Sequence, residues 1–170
     1  LDGESLRVHA RFEALTNSNS WETCRHVTYL TAVGVELGAV TLSVRAGSPA
    51  AVSVAGVELQ GAELPALPDG YTVEHSRGRV TLKHPAGTFV EVTLGARYLR
   101  LDVQPAERWR GQLRGLLGDF DGDPEDDFVT RAGELLPVPL SFADRYQVFA
   151  ASWRLSDDES LLPYVSGETS

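Results

Sequence analysis

Apolar and polar residues alternate with a period of two over roughly the first hundred positions of this chain. In the first run, Leu6, Val8 and Phe12 alternate with polar or charged residues, as in an antiparallel strand with one face on a core. Similar short runs recur about every ten residues, separated by turn-forming residues. The pattern predicts a mainly β fold, an antiparallel β-sandwich. The runs begin at or near Leu6, His26, Val40, Ala51, Val57, Tyr71, Arg79, Phe89 and Tyr98.

The C-terminal third carries helical signals instead of this alternation. Pro105 suits a helix N-terminus, and the apolar spacing that follows predicts a helix over 106–117 that ends at Gly118. Ser141, with Asp144 three residues later, predicts the N-terminal cap of a second helix. Short helices are therefore expected after the sheet region. The apolar face of the second helix is predicted to contain Phe142, Tyr146, Phe149 and Ala150.

Length and the single cysteine limit the organisation of the chain. At 170 residues it fits one domain, 1–170, with a single sizeable core. Cys24 is the only cysteine, so no intrachain disulfide or cysteine-based zinc site can form. Because the first residue, Leu1, is not methionine, we expect the domain to be part of a larger precursor. No run of eighteen apolar residues occurs, so we expect no membrane insertion.

The negative charge of the chain is concentrated in one loop, 115–130. The formal net charge is -9, and six acidic residues of this loop supply -6, which leaves -3 for the remainder. The fifteen basic residues are scattered, whereas nucleic acids and anionic membranes are bound through clustered Lys and Arg. We therefore expect no nucleic-acid partner. The six acids are Asp119, Asp121, Asp123, Glu125, Asp126 and Asp127.

Three interpretations of the acidic loop are open from these residues alone. Charge runs are often simply solvated surface turns. Alternatively, Ca²⁺ takes about six to eight oxygen ligands, and the aspartates of a loop turned by Gly122 and Pro124 can supply several of them. An EF-hand is excluded, because Pro124 occupies its glycine position and Thr130 its final glutamate position. The candidate metal ligands are Asp119, Asp121, Asp123, Asp126 and Asp127.

The third interpretation is a carbohydrate-active hydrolase that uses two of these carboxylates, with Trp109 and Trp153 as a sugar platform. Such enzymes hold two carboxyls about 5 to 10 Å apart, and adjacent acids are too dense for divided roles. The four histidines lack metal spacing and are expected at the surface, and no serine lies in a nucleophile elbow. We therefore predict no catalytic residue and no enzymatic activity.

Two segments of the sequence resemble one protein family. The stretch 115–130, which reads Gly-Leu-Leu-Gly-Asp-Phe-Asp-Gly-Asp-Pro-Glu-Asp-Asp-Phe-Val-Thr, and the later Phe-Ala-Ala-Ser-Trp-Arg-Leu of 149–155 are similar to the C-terminal half of a von Willebrand factor type D domain. Leu117 stands where the family usually has cysteine, Asp119 where it has asparagine, and Ala150 where glycine is common. The family's Gly-Asp-Pro-His segment is absent. This looks like a cysteine-poor variant.

The resemblance implies a β-sandwich with a structural Ca²⁺ held by Asp119, Asp121, Asp126 and Asp127, with the carbonyl of Asp123 as a further ligand. It also implies a non-catalytic adhesion or assembly module of a secreted or cell-surface protein. Its partners would be other domains of the same or a partner extracellular protein. A lipid-associated role is an alternative, because lipid-transport proteins also carry this domain type; neither a glycan nor a lipid ligand is supported by the residues.

Overall fold

The computed structural model of the protein describes residues 4–16, 26–59, 63–159 and 161–162. The chain forms two compact units, one comprising Leu1–Gln104 with Ser160–Ser170 and the other Pro105–Glu159. Cys24 lies outside the described residues. In the part of the chain that is described, no helix has the length and apolar character needed to cross a membrane.

The first unit consists of two antiparallel sheets. Within the described residues, one sheet has the strand order β1-β2-β3-β4-β5 and the other β6-β7-β8-β9, so neighbours in sequence are neighbours in space. This confirms the prediction of a mainly β, antiparallel fold. The strands are β1 (Leu6–Thr16), β2 (His26–Leu37), β3 (Val40–Arg45), β4 (Ala51–Val54), β5 (Val57–Glu58), β6 (Thr72–His75), β7 (Arg79–Lys83), β8 (Phe89–Thr93) and β9 (Arg100–Gln104).

The alternation in the sequence corresponds directly to burial in these strands. In β3, every second residue is buried and the residues between them are exposed or half-buried. Buried side chains of both sheets belong to one hydrophobic cluster, which includes residues of β2, β3 and β4 from one sheet and of β7 and β8 from the other. At about 25 cal/mol per Å² of buried apolar surface, this cluster is the main source of stability in the unit. Its fully buried members include Val33, Val35, Leu37, Leu42, Val54, Val80, Leu82, Val90 and Val92.

One histidine contradicts the expectation that the histidines lie at the surface. His84 is buried, and its Nδ1 accepts a hydrogen bond from the backbone N–H of Ala86 at 2.9 Å. Its ring contacts Tyr71 edge to face, with 4.9 Å between the ring centroids. The residue follows the last position of β7, where the pleat directs it toward the core, and the bond to Ala86 satisfies its buried nitrogen.

The helix predicted over 106–117 is wrong. Only Glu107–Trp109 forms a helical turn, of the 3₁₀ type. Three glycines then have positive φ angles, with values of 72° at Gly111, 136° at Gly115 and 74° at Gly118. These left-handed conformations are incompatible with a right-handed helix, so the chain continues as a series of turns.

The second predicted helix exists, and its cap is confirmed. It comprises a π-helical segment, Asp144–Phe149, followed by an α-helical turn, Ala150–Ser152. The Ser141 hydroxyl accepts from the N–H of Asp144 at 3.0 Å and donates to its carboxylate at 2.7 Å. The predicted apolar face is only partly buried: Phe149 is inside, whereas Phe142 and Tyr146, whose rings contact each other at a tilt, are 74% and 51% exposed.

The helix 144–152 packs against the turn that follows the acidic loop. Phe128 and Phe149 contact edge to face at 5.3 Å between ring centroids. Trp153 Nε1 donates to the carbonyl of Val129 at 3.1 Å. The Ser152 hydroxyl accepts from the N–H of Arg131 at 3.2 Å and donates to the carbonyl of Phe149 at 2.7 Å. These contacts fix the C-terminal end of the acidic loop within the second unit.

Candidate metal centre

A series of side chain to backbone hydrogen bonds shapes the acidic loop. The Oδ1 atoms of Asp119, Asp121 and Asp123 each accept from the backbone N–H two residues later, at 3.0, 2.6 and 3.0 Å. This is the Asx-turn geometry that aspartate favours, repeated three times in succession. The alternation of aspartates in the sequence is therefore also the local reason why the loop turns. Each bond uses one carboxylate oxygen and leaves the carboxylate a second one.

Asp127 closes the loop on its other side. Its Oδ1 accepts from the N–H of Asp119 at 2.9 Å, and the carbonyl of Asp119 accepts from the N–H of Gly111 at 3.0 Å. A Cβ at Gly118 would collide with the Asp127 carboxylate. Glycine is therefore favoured at position 118 for two reasons. It leaves room for the carboxylate, and it adopts a φ of 74°, which residues with a side chain rarely do. Phe120, with a φ of 67°, adopts the same left-handed backbone conformation, although it lacks the conformational freedom of glycine.

Three of the predicted ligands converge. One carboxylate oxygen from each of Asp119, Asp121 and Asp126 lies within 4.8 Å of the others. Asp119 is half-buried, whereas Asp121 and Asp126 are exposed. Asp127 lines the same cavity as Asp119 and Asp126, which has a volume of about 210 Å³. Asp123 belongs to the Asx-turn series but not to this group of three, and Glu125 is exposed.

The charges of the cluster act on Asp126 in particular. Partial removal of water, followed by the repulsion of Asp121, Asp119 and Asp123, raises the pKa of Asp126 above its ordinary value. Like charges disfavour the ionised form of a carboxyl group, and a bound cation reverses that effect. The arrangement therefore concentrates negative charge at a place where a positive ion would relieve it.

Two features of the site were missed by sequence reasoning. Gly118 accommodates the Asp127 carboxylate, and Gly111 connects the preceding turn to the carbonyl of Asp119. The sequence shows both glycines, but the helix prediction over 106–117 assigned them no such roles. The sequence did contain a signal for turns in place of a helix, because glycines recur there at nearly regular intervals, at Gly111, Gly115, Gly118 and Gly122.

A family model described as "von Willebrand factor type D domain" matches residues 2–134. The matched residues include all nine described strands and the whole acidic loop. The chain belongs to the von Willebrand factor type D domain family. The resemblance inferred from the Gly-Leu-Leu-Gly-Asp segment is thereby confirmed.

Curated relatives of this type D domain are much longer proteins. Human "Sushi domain-containing protein 2" is 32% identical over 175 aligned residues, covering 95% of this chain and 20% of its own length. Bovine "von Willebrand factor" is 32% identical over 70% of this chain and 12% of its own. Chicken "SCO-spondin" is 30% identical over 58% of this chain and 2% of its own. The chain therefore spans a fifth or less of these relatives.

Proposed function

We propose that this type D domain is a calcium-stabilised, non-catalytic structural module with an adhesion or assembly role in a larger secreted or cell-surface protein. The observation that carries the proposal is the convergence of oxygens from Asp119, Asp121 and Asp126 within 4.8 Å. The family and the length of the relatives support the modular part of it.

The chemistry of the donors favours a hard cation. All three converging groups are carboxylates, which Ca²⁺ and Mg²⁺ prefer to nitrogen or sulfur ligands. Ca²⁺ tolerates irregular geometry and six to eight oxygens, whereas Mg²⁺ requires near-ideal octahedral geometry. A loop built from successive turns with abundant backbone carbonyls suits the larger ion. The proposal therefore names Ca²⁺.

The roles of the aspartates differ within the proposal. Asp119, Asp121 and Asp126 would hold the ion directly, and bound Ca²⁺ would supply the positive charge that offsets their repulsion. Asp127 lines the same cavity while its Oδ1 fixes the N–H of Asp119, so it orients the loop and offers its second oxygen. Asp123 shapes the turn through the N–H of Glu125 and would contribute its carbonyl.

The geometry favours a structural role over hydrolysis. Glycoside hydrolases separate their two carboxyls by about 5 to 10 Å so that a sugar or a water fits between them. Here three carboxylates converge in place of two, each with one oxygen within 4.8 Å of the others. A closely spaced group shares one ion more readily than it divides into an acid and a base.

The partners proposed for the module are other domains of the same chain or of a partner extracellular protein. The relatives support this, because the aligned region is a small part of each of them. A glycan or lipid ligand has no specific support in the described residues.

Calorimetric titration with Ca²⁺ tests the proposal. The wild-type chain should bind the ion, Asp121→Ala should weaken binding at least about tenfold, and Glu125→Gln should bind like the wild type. Glu125→Gln is the matched control, since it removes one negative charge from the same loop without removing a converging oxygen. The absence of Ca²⁺ binding by the wild type, or equal weakening in both variants, would contradict the proposed site.

A further inference from the structure

A two-residue segment near the C-terminus, Leu161 and Leu162, contacts the sheet formed by β1–β5. The backbone N–H of Leu161 donates to Nδ1 of His9 on β1 at 2.8 Å, linking residues 152 positions apart. Leu162 is buried, with 8% of its surface exposed. His9 alternates with Leu6, Val8 and Ala10, so it projects from the face of the sheet opposite the hydrophobic core.

Gly34 provides the space beneath this segment. It pairs directly with His9 across β1 and β2, and it is buried. A Cβ at this position would lie 3.0 Å from the Cβ of Leu161 and 3.2 Å from its carbonyl carbon. Leu161 is therefore in close contact with the backbone of β2 while its N–H is bound to β1. The two contacts are independent, because one is polar and the other steric.

The hydrogen bond requires an unprotonated Nδ1. A neutral imidazole has one acceptor nitrogen and one N–H, so Nδ1 can accept from Leu161 only when the proton is on Nε2. The imidazolium form has N–H groups at both positions. Protonation would then place two donors against each other, and the bond would be lost.

The charged groups around His9 act in both directions. Arg7 and Arg11 flank it on the same face of β1, and Arg45 lies on β3 opposite Ala32 of β2. Glu36 of β2 would favour an imidazolium, but its carboxylate already accepts two hydrogen bonds from Arg7, at 3.0 and 2.8 Å. Leu161 and Leu162 contribute no charge. The nearby cations oppose protonation of His9, whereas Glu36, which interacts electrostatically with His9, favours it.

We propose that His9 and Gly34 form a pH-sensitive clasp that holds residues 161–162 on the outer face of the sheet at neutral pH and releases them when His9 is protonated. Because imidazole groups in proteins change charge between about pH 5 and pH 8, release is expected as the pH falls from about 7.5 to about 5. Release would uncover the backbone of β2 at Gly34 and free the segment to change its attachment. None of the residues of the clasp belongs to the acidic loop.

Amide hydrogen exchange, followed residue by residue and corrected for the intrinsic effect of pH, tests the clasp in the full chain. In the wild type, protection of the Leu161 amide should fall about tenfold between pH 7.5 and pH 5, the loss expected for one hydrogen bond. His9→Asn retains a carbonyl acceptor that does not titrate, so in this variant the protection of the Leu161 amide should be the same at both pH values. His9→Arg supplies only donors, so protection should be low at both pH values. His75→Gln, on β6, should behave like the wild type.

Unchanged protection of Leu161 in the wild type at pH 5 would overturn the clasp, as would an equal fall in His9→Asn. If His9→Asn does not protect Leu161 even at pH 7.5, nitrogen chemical shifts of His9 in the wild-type protein decide the question. The clasp requires Nδ1 to be unprotonated at pH 7.5 and to titrate at the pH where Leu161 loses protection. A difference of more than about one pH unit between the two transitions would contradict it.

Discussion

The backbone N–H of Asp119 donates to Oδ1 of Asp127 at 2.9 Å and joins the two ends of the acidic loop across eight positions. This bond brings the first aspartate of the loop next to the last. It also holds Asp127 at the cavity that Asp119 and Asp126 line. The loop thus has an internal framework of hydrogen bonds, and substitutions can test the contribution of that framework separately from the contribution of ion binding.

Substitution of Asp127 separates the two contributions. Asp127→Asn keeps a carbonyl acceptor for the N–H of Asp119 and removes the charge, whereas Asp127→Ala removes both. In chelator, we expect Asp127→Ala to reduce the free energy of unfolding by about 1 kcal/mol relative to Asp127→Asn, because a partly buried donor loses its partner. Denaturant unfolding of both variants measures this difference. Equal stability of the two would show that the bond does not support the loop.

Gly118 and Gly122 form a matched pair for testing the close approach of Asp127. Both have positive φ angles, 74° and 95°, so alanine at either position costs about 1–2 kcal/mol of backbone strain. Only Gly118 has the Asp127 carboxylate where its Cβ would be, and nothing lies within 4 Å of the corresponding position at Gly122. We expect Gly118→Ala to be the more destabilising by at least about 1 kcal/mol in thermal or denaturant unfolding. The opposite order would contradict the packing at Gly118.

The ion pair between Arg131 and Glu159 predicts a dependence of stability on pH. The hydrogen bonds from Arg131, followed by those from Ser156, lower the pKa of Glu159 to about 2. A lowered pKa in the folded state stabilises the protein above the unfolded-state pKa, and this contribution disappears as pH falls through the folded-state value.

Glu159→Gln should therefore melt below the wild type at pH 7, and the difference should vanish as pH falls from about 4.5 to about 2. Thermal unfolding at a series of pH values measures this. Glu134→Gln, another exposed glutamate of the second unit, serves as the control for a general loss of charge. A difference at pH 7 that persists undiminished near pH 2 would refute the assignment.

The strands were predictable from the sequence because alternation of apolar residues reports burial directly. Each predicted run begins within two residues of an observed strand. The cap formed by Ser141 was also predictable, because it is local. The turns at Gly111 and Gly115 were not, since helical spacing of Trp109 and Leu113 does not reveal the sign of a glycine's φ angle.

The candidate site was only partly predictable, for a related reason. The sequence located the acidic loop, but it does not specify that Asp126 converges with Asp119 and Asp121 while Asp123 instead holds a turn. That selection depends on how the loop closes through Asp127. The contact between His9 and Leu161 joins residues 152 positions apart, and no local pattern encodes it.

Thermal unfolding of the wild type and of Asp126→Asn, with and without Ca²⁺, tests the calcium proposal most directly. The decisive quantity is the sign of the difference between their melting temperatures. The pKa of Asp126 is raised, so its ionised form is disfavoured in the folded protein and its charge costs stability as pH rises through that pKa. Without a cation at pH 7, Asp126→Asn should therefore melt above the wild type.

Ca²⁺ at about 100 times its dissociation constant should stabilise the wild type by about 2.7 kcal/mol, which corresponds to roughly 5–10 °C in Tm for a domain of this size. Asp126→Asn loses a ligand and should gain much less, so the order of the two melting temperatures should reverse on addition of the ion. A wild-type Tm that is the same in Ca²⁺ and in chelator would contradict the account.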